Sequence, residues 1–137
     1  MAGIVRWAAI STVAAAATAL AQTADTGGKT IWDGVYTSEQ ADRGRLALQQ
    51  RCTACHADSE WSSATFINRW AGRSIVTLYD NIRLTMPYNA PAGLSREEYS
   101  DIVATMLRLN GAPAGEVPLP SDVEGLQRIA VTPKQNQ

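Results

Sequence analysis

Hydrophobic and polar positions along this chain alternate with helical spacing in four places, and no strand-like alternation survives scrutiny. The clearest run is Tyr99, Ile102, Val103, Met106 and Leu107, which repeat at intervals of three and four. Ser95-Arg96-Glu97-Glu98 opens that helix as a capping box, and Asn110-Gly111 followed by Pro113 closes it. A third-helix stripe of Ile75, Leu78, Tyr79 and Ile82 follows Ser74 as its cap. It ends before Pro87, because the residue ahead of a proline is pushed out of helical geometry. Phe66, Ile67 and Trp70 give one apolar face to a short helix within Ser62–Ala71. Thr37-Ser38-Glu39-Gln40 reads as a second capping box, starting a helix that runs to about Gln50. Its apolar positions are sparse, namely Ala41, Leu48 and marginally Leu46, and its Gly44 permits a close helix crossing.

The connecting stretches complete an all-α expectation. Gln22–Lys29 is small and polar and reads as a flexible leader. Thr30–Tyr36 carries Ile31, Trp32 and Tyr36 and is expected to pack on the surface of the domain. Met86–Gly93 holds two prolines and reads as a loop. Pro113–Pro120 reads as extended, and Ser121–Ile129 as one short helix lying back on the domain.

The N-terminus has a different pattern. One positive charge, Arg6, precedes an alanine-rich apolar run from Trp7 to Leu20 and a small-x-small site at Ala19-Leu20-Ala21. This is the form of a secretory signal peptide. The run falls short of the about 20 residues that span a bilayer comfortably. An uncleaved anchor is the alternative. The expected organisation is a signal segment at 1–21, a leader and extended segment at 22–36, a single domain at 37–130 and a tail at 131–137. About 115 residues would remain after cleavage, periplasmic or secreted, with no stable membrane insertion.

Charge narrows the partners. The chain is formally −1, and loss of Arg6 with the signal leaves −2. No basic patch exists to neutralise a run of phosphates, so nucleic-acid binding is not expected. Asp42, Asp58 and Glu60 read as solvated surface charges, and no constellation of acid–base residues argues for an enzyme.

Chemistry is concentrated in Cys52-Thr53-Ala54-Cys55-His56, which holds both cysteines and the only histidine. C-x-x-C-H is the attachment signature of a c-type haem. A helical turn between the thiols lets both reach the vinyl groups of one porphyrin, and His56 can then offer its imidazole to the iron. A structural zinc site would need a fourth ligand. A thioredoxin-like dithiol would follow a strand, whereas Ala41–Gln50 reads as helix. A plain disulfide does not require His56.

With no second histidine, the other axial position is left to a methionine, a lysine or an open site. Met106 belongs to the apolar stripe of the last helix, where a core role explains it. Met86 lies in the Thr85-Met86-Pro87 turn, 30 residues beyond Cys55-His56 and with two helices between. Its thioether is the stronger candidate, and as a soft donor it would raise the reduction potential. Trp70 and Arg73 are candidates for propionate contacts, through an indole N–H and a guanidinium fork. Trp61 and Phe66 are candidates for walls of the pocket. Ala54, Ala57, Ala90 and Pro91 could surround an exposed haem edge suited to a brief encounter with a redox partner.

Over essentially its whole length after the signal segment, the chain resembles the class I monohaem cytochromes c. The closer resemblance is to bacterial periplasmic cytochromes found with quinoprotein (PQQ-dependent) dehydrogenases. The stretches that carry it are Trp32–Thr37, Gln40–Gly44, Cys52–His56, Trp70–Arg73, Thr85–Pro87, Pro91–Ser95 and Asn110–Gly115. The resemblance implies a cytochrome c fold wrapped around one covalent haem c, with Cys52 and Cys55 as thioether sites, His56 as proximal ligand and Met86 as distal ligand. It implies that the first and last helices cross near Gly44. It implies a single-electron carrier rather than an enzyme, working between redox proteins such as a quinoprotein dehydrogenase and a terminal oxidase or another cytochrome. A haem-based ligand binder or weak peroxidase, and a fixed haem subunit of a larger oxidoreductase complex, are the alternatives.

The chain also departs from that family. Ala57 replaces the usual glycine. Leu48 and Thr105 stand where an aromatic pair usually joins the two helices, so a thinner contact is expected there. The short Ala57–Phe66 segment lacks the proline stretch whose carbonyl accepts the proximal histidine's second N–H, and no acceptor is legible in its place.

Overall fold

The capping residues start the helices where the sequence pattern puts them. The computed structural model describes residues 28–134. Among these, five helices run in the order α1 Ser38–Arg51, α2 Ala64–Trp70, α3 Ile75–Thr85, α4 Arg96–Leu109 and α5 Val123–Gln127. A short 3₁₀ turn, Asp58–Glu60, lies between α1 and α2. The protein is mostly helical, with very little strand. The stretch 1–21, expected to be a signal segment, and most of the expected leader lie outside the described residues.

α4 is capped as the sequence suggests, α2 takes a cap the sequence pattern did not point to, and Ser74, expected to cap α3, stands at its start without a side-chain capping bond. The Ser63 hydroxyl accepts from the Phe66 N–H, and Ser95 and Glu98 satisfy each other's backbone N–H groups at 3.1 and 2.9 Å. The α1 box is only half formed. Thr37 Oγ1 accepts from Gln40 N at 3.2 Å, but the Gln40 side chain turns away into the core. There its amide exchanges two hydrogen bonds with the backbone of Leu119, at 2.7 and 3.0 Å. A buried amide must find partners, and the C-terminal stretch supplies them. Leu46 is exposed, so the packed face of α1 is Ala41, Gly44 and Leu48.

That face lies against α4, whose run from Tyr99 to Leu107 is buried throughout. The two backbones meet at Gly44: a Cβ there would stand 1.8 Å from the Asp101 carbonyl oxygen. The contact is not thin. Thr105 donates its hydroxyl to the Ala41 carbonyl at 2.6 Å, and Arg43 clasps the largely buried Asp101 carboxylate through two bonds of 2.9 and 3.0 Å. Arg108 reaches back to Asp42 at 2.6 Å. A threonine hydroxyl and two arginines do the joining at the crossing where a thinner contact was expected.

The segment ahead of α1 is part of the core, not a surface strip. Ile31, Val35 and Tyr36 are buried. Gly34 has φ +63° and lies against Gly115, where an added Cβ would stand 2.0 Å from the Gly34 carbonyl oxygen. Only glycines allow that approach. Tyr36 donates its hydroxyl to the Ala112 carbonyl at 2.6 Å. Two strand fragments, β1 Lys29–Thr30 and β2 Ile129–Ala130, pair in parallel and tie the two ends of the domain together. Two residues per strand are too few for an alternating pattern, so the sequence carries no trace of them. Val131, beyond the expected end of the domain, is also buried. No helix of the described residues is long and apolar enough to cross a membrane.

Candidate functional site

The C-x-x-C-H residues continue the path of α1 for one further turn. Cys52 N–H still bonds the Leu48 carbonyl at 2.9 Å, and the N–H groups of Cys55 and His56 both reach the Cys52 carbonyl, at 3.1 and 3.0 Å. Thr53 Oγ1 donates to the Gln49 carbonyl at 2.8 Å and holds the turn from outside. This is the helical turn between the thiols that the spacing calls for. Both thiols are free, Cys52 half-buried and Cys55 exposed. Burial pushes the Cys52 thiol above its ordinary pKa.

Beside this turn lies a cavity of about 640 Å³. Cys52, Cys55 and His56 line one part of it, and Met86 lines it from the end of α3. Apolar walls come from Trp61, Phe66 and Trp70, joined by Leu78, Ile102 and Met106. The volume lies within the roughly 300–1,000 Å³ of cofactor and small-molecule sites. A second cavity, of about 880 Å³, is larger but has no Cys, His or Met on its walls. The chemistry therefore belongs to the smaller one.

The sequence candidates divide between the two. Trp70 lines the cavity with the cysteines. Its indole Nε1 is buried and has no hydrogen-bond partner. A buried donor left unpaired costs about 1–3 kcal/mol unless a ligand oxygen meets it. Arg73 instead lines the second cavity, beside Ser74 and Ile129. Gly72, at φ +78°, breaks the chain direction between Trp70 and Arg73, and the Arg73 carbonyl is bonded to Val131 N–H at 2.8 Å. Arg69, one residue before Trp70 on α2, lines the first cavity in its place.

Met86 is held by its backbone. Tyr99, buried on α4, donates its hydroxyl to the Met86 carbonyl at 2.7 Å and accepts from Leu94 N–H at 3.4 Å. The Ala92 N–H bonds the Arg83 carbonyl at 2.8 Å, folding the proline loop back on α3. The Met86–Pro87 bond is cis. Replacing Tyr99 by Phe removes both links, and a half-buried carbonyl loses its donor. A loss of about 1–3 kcal/mol is expected in urea unfolding. A variant as stable as its parent would show that the hydroxyl does not hold this loop.

His56 is fixed from the other side. Its Nδ1 lies 3.1 Å from Glu60 Oε2, and its ring centroid is 5.6 Å from that of Trp61. The other oxygen of Glu60 accepts from Ala57 N–H at 2.9 Å. That backbone bond, and then the bond with His56, holds the Glu60 carboxyl below its ordinary pKa. Asp58 pairs with Arg45 of α1 at 2.6 Å. Thus Asp42, Asp58 and Glu60, read from the sequence as solvated charges, all have specific partners while remaining solvent-facing. Glu60 stands four residues after His56 within a 3₁₀ turn, and only that turn brings it back to the ring.

Among the described residues, no three His, Cys, Asp or Glu side chains group as ligands for a bare metal ion. A haem fits the residues present. Two free thiols on one turn, an imidazole whose Nδ1 is engaged, a thioether on the same cavity, aromatic walls and an orphaned indole N–H suit an apolar macrocycle bearing carboxylates. Comparison with protein-family models, with curated proteins and with solved structures finds no match for this chain.

Proposed function

We propose that this chain is a class I c-type cytochrome with one haem c, carrying single electrons outside the cytoplasm. The observation that carries the reading is the shared cavity: Cys52, Cys55, His56, Met86 and Trp70, whose buried Nε1 has no hydrogen-bond partner, all line it. When bound, the haem would supply a one-electron Fe(III)/Fe(II) couple.

The chain's own residues account for the rest. Cys52 and Cys55 would anchor the macrocycle as thioethers, each thiol adding its S–H across a vinyl group. With Nδ1 engaged by Glu60, His56 keeps Nε2 for the iron. Met86 would offer its sulfur, with Tyr99 holding the backbone behind it. Trp70 would donate its indole N–H to a propionate. Trp61, Phe66 and Ile102 would exclude water from the macrocycle. Ala54 lines the cavity and is exposed; Ala57 is exposed beside the lining residue His56, and Ala90 and Pro91 are exposed just after the lining residue Asn89. With Tyr88, which is 88% exposed on the cavity rim, they leave small uncharged surface for a redox partner. Under this reading the partners are redox proteins, a quinoprotein dehydrogenase as donor and an oxidase or another cytochrome as acceptor, and the signal segment directs the chain to the periplasm.

The test is an absorption spectrum of the secreted protein, oxidised and reduced, beside the Met86→Ala variant. A low-spin spectrum with a far-red iron–sulfur band that disappears in Met86→Ala is expected. A high-spin spectrum in the parent, or one indifferent to Met86, would replace the carrier with a ligand-binding haem protein.

A further inference from the structure

Glu60 reads from the sequence as a solvated surface charge, yet among the described residues its carboxylate is the only side-chain hydrogen-bond partner of the His56 ring. Its two oxygens serve two donors on adjacent residues, Oε2 the imidazole Nδ1 at 3.1 Å and Oε1 the Ala57 N–H at 2.9 Å. The second bond fixes the direction of the first. The turn that carries it is clamped at both ends. Arg45 of α1 binds Asp58 at 2.6 Å, and Asn110 at the end of α4 donates its amide to the Trp61 carbonyl. Trp61 itself is only 8% exposed and stands against the imidazole. A glutamate carried on a free loop would sample many rotamers, whereas this one makes two hydrogen bonds of its own on a turn that Arg45 and Asn110 clamp.

From this geometry we infer that Glu60 is a positioning residue for His56: it orients the imidazole and, as a full negative charge on Nδ1, lowers the reduction potential of the iron that His56 binds. The inference rests on the haem reading above. Neutral imidazole has one N–H and one lone pair. With Nδ1–H donated to Glu60, the lone pair is left on Nε2. A hydrogen bond to an ionised acceptor is roughly twice as strong as one to a neutral carbonyl. It draws the Nδ1 proton outward and makes Nε2 a more basic donor. A stronger donor favours Fe(III) over Fe(II). Met86 pushes the other way, since a thioether favours the reduced ion. The carboxylate would therefore set this chain below a cytochrome with the same two ligands and a backbone carbonyl on Nδ1.

Redox titration of the secreted holoprotein tests this, using Glu60→Gln and Glu60→Ala. Glu60 is half exposed, so neither substitution opens a core cavity. Both variants are expected to raise the equilibrium constant for reduction about tenfold, which is about 59 mV for a one-electron couple. A surface charge acting through solvent would be screened at 1 M salt, where the Debye length is about 3 Å. A direct hydrogen bond would not be, so the shift should persist there. In the oxidised protein, the spread of haem methyl resonances reports the orientation of the ring plane, and it should change most in Glu60→Ala. Potentials that match the parent, or a shift that vanishes at 1 M salt, would overturn the role of Glu60 while leaving the cytochrome standing. A secreted parent protein without covalent haem would overturn both.

Discussion

Gly44→Ala is expected to cost this protein about 3–5 kcal/mol, with its urea midpoint falling accordingly. On an isolated helix the same change would gain up to about 1 kcal/mol, because alanine is the better helix former. The sign reverses here because of what lies opposite. The new Cβ would stand 1.8 Å from the backbone oxygen of Asp101 and 2.6 Å from Thr105 Oγ1. A backbone carbonyl in the middle of α4 has no rotamer to escape into, so the helices themselves must part. Overpacking alone costs about 1–3 kcal/mol. The separation also strains every polar link that flanks the crossing: Arg43 to Asp101, Thr105 to the Ala41 carbonyl and Arg108 to Asp42. Each is worth about 1 kcal/mol or somewhat more. Since small domains hold only about 5–15 kcal/mol in total, the variant should be near the edge of folding at body temperature. An unchanged midpoint would mean that α1 and α4 do not cross at this residue.

The second large effect is expected from Cys52→Ser combined with Cys55→Ser. If the cavity is a haem pocket, this variant loses the covalent pigment completely on a denaturing gel. It should also lose much of its fixed tertiary packing. A group that binds only the folded chain stabilises it, by about 4 kcal/mol when present at a thousand times its Kd. A tethered group is present at high effective concentration throughout. Without it, a cavity of about 640 Å³ leaves the faces of Phe66, Trp70 and Ile102 without a partner. The expected product keeps its far-ultraviolet dichroism, weakens in the near-ultraviolet and binds a hydrophobic dye. A variant with a sharp unfolding transition and full near-ultraviolet signal would show that these walls need no cofactor, and the haem reading would lose its structural support.

Much of this could be read along the chain. The helical stripe Tyr99–Leu107, the Ser95–Glu98 box and the C-x-x-C-H turn depend on residues within a few positions of one another. Short-range sterics and hydrogen bonds decide them before any tertiary contact forms. The four cavity residues Cys52, Cys55, His56 and Met86 were likewise legible, because their chemistry is rare in the sequence and their spacing is specific. Gly44 was legible as a crossing point for a similar reason: a glycine inside a capped helix costs stability unless something approaches it.

What the sequence left open depends on which faces meet. Gln40 looks like the fourth residue of a capping box, yet a buried strip of backbone 79 residues away claims its amide. Trp70 and Arg73 share one short stretch, but the turn at Gly72 sends them to different cavities. The pairing of Lys29–Thr30 with Ile129–Ala130 joins segments 100 residues apart and leaves no periodic signal. Glu60 reads as one more surface charge until the 3₁₀ turn folds it back onto His56. Sequence by itself determined the helices and singled out Cys52, Cys55, His56 and Met86, because those follow from local geometry and intrinsic chemistry. The partner of each polar side chain was decided only in the tertiary structure, because a buried or half-buried hydrogen-bonding group takes whatever complementary group the packed backbone brings within about 3 Å.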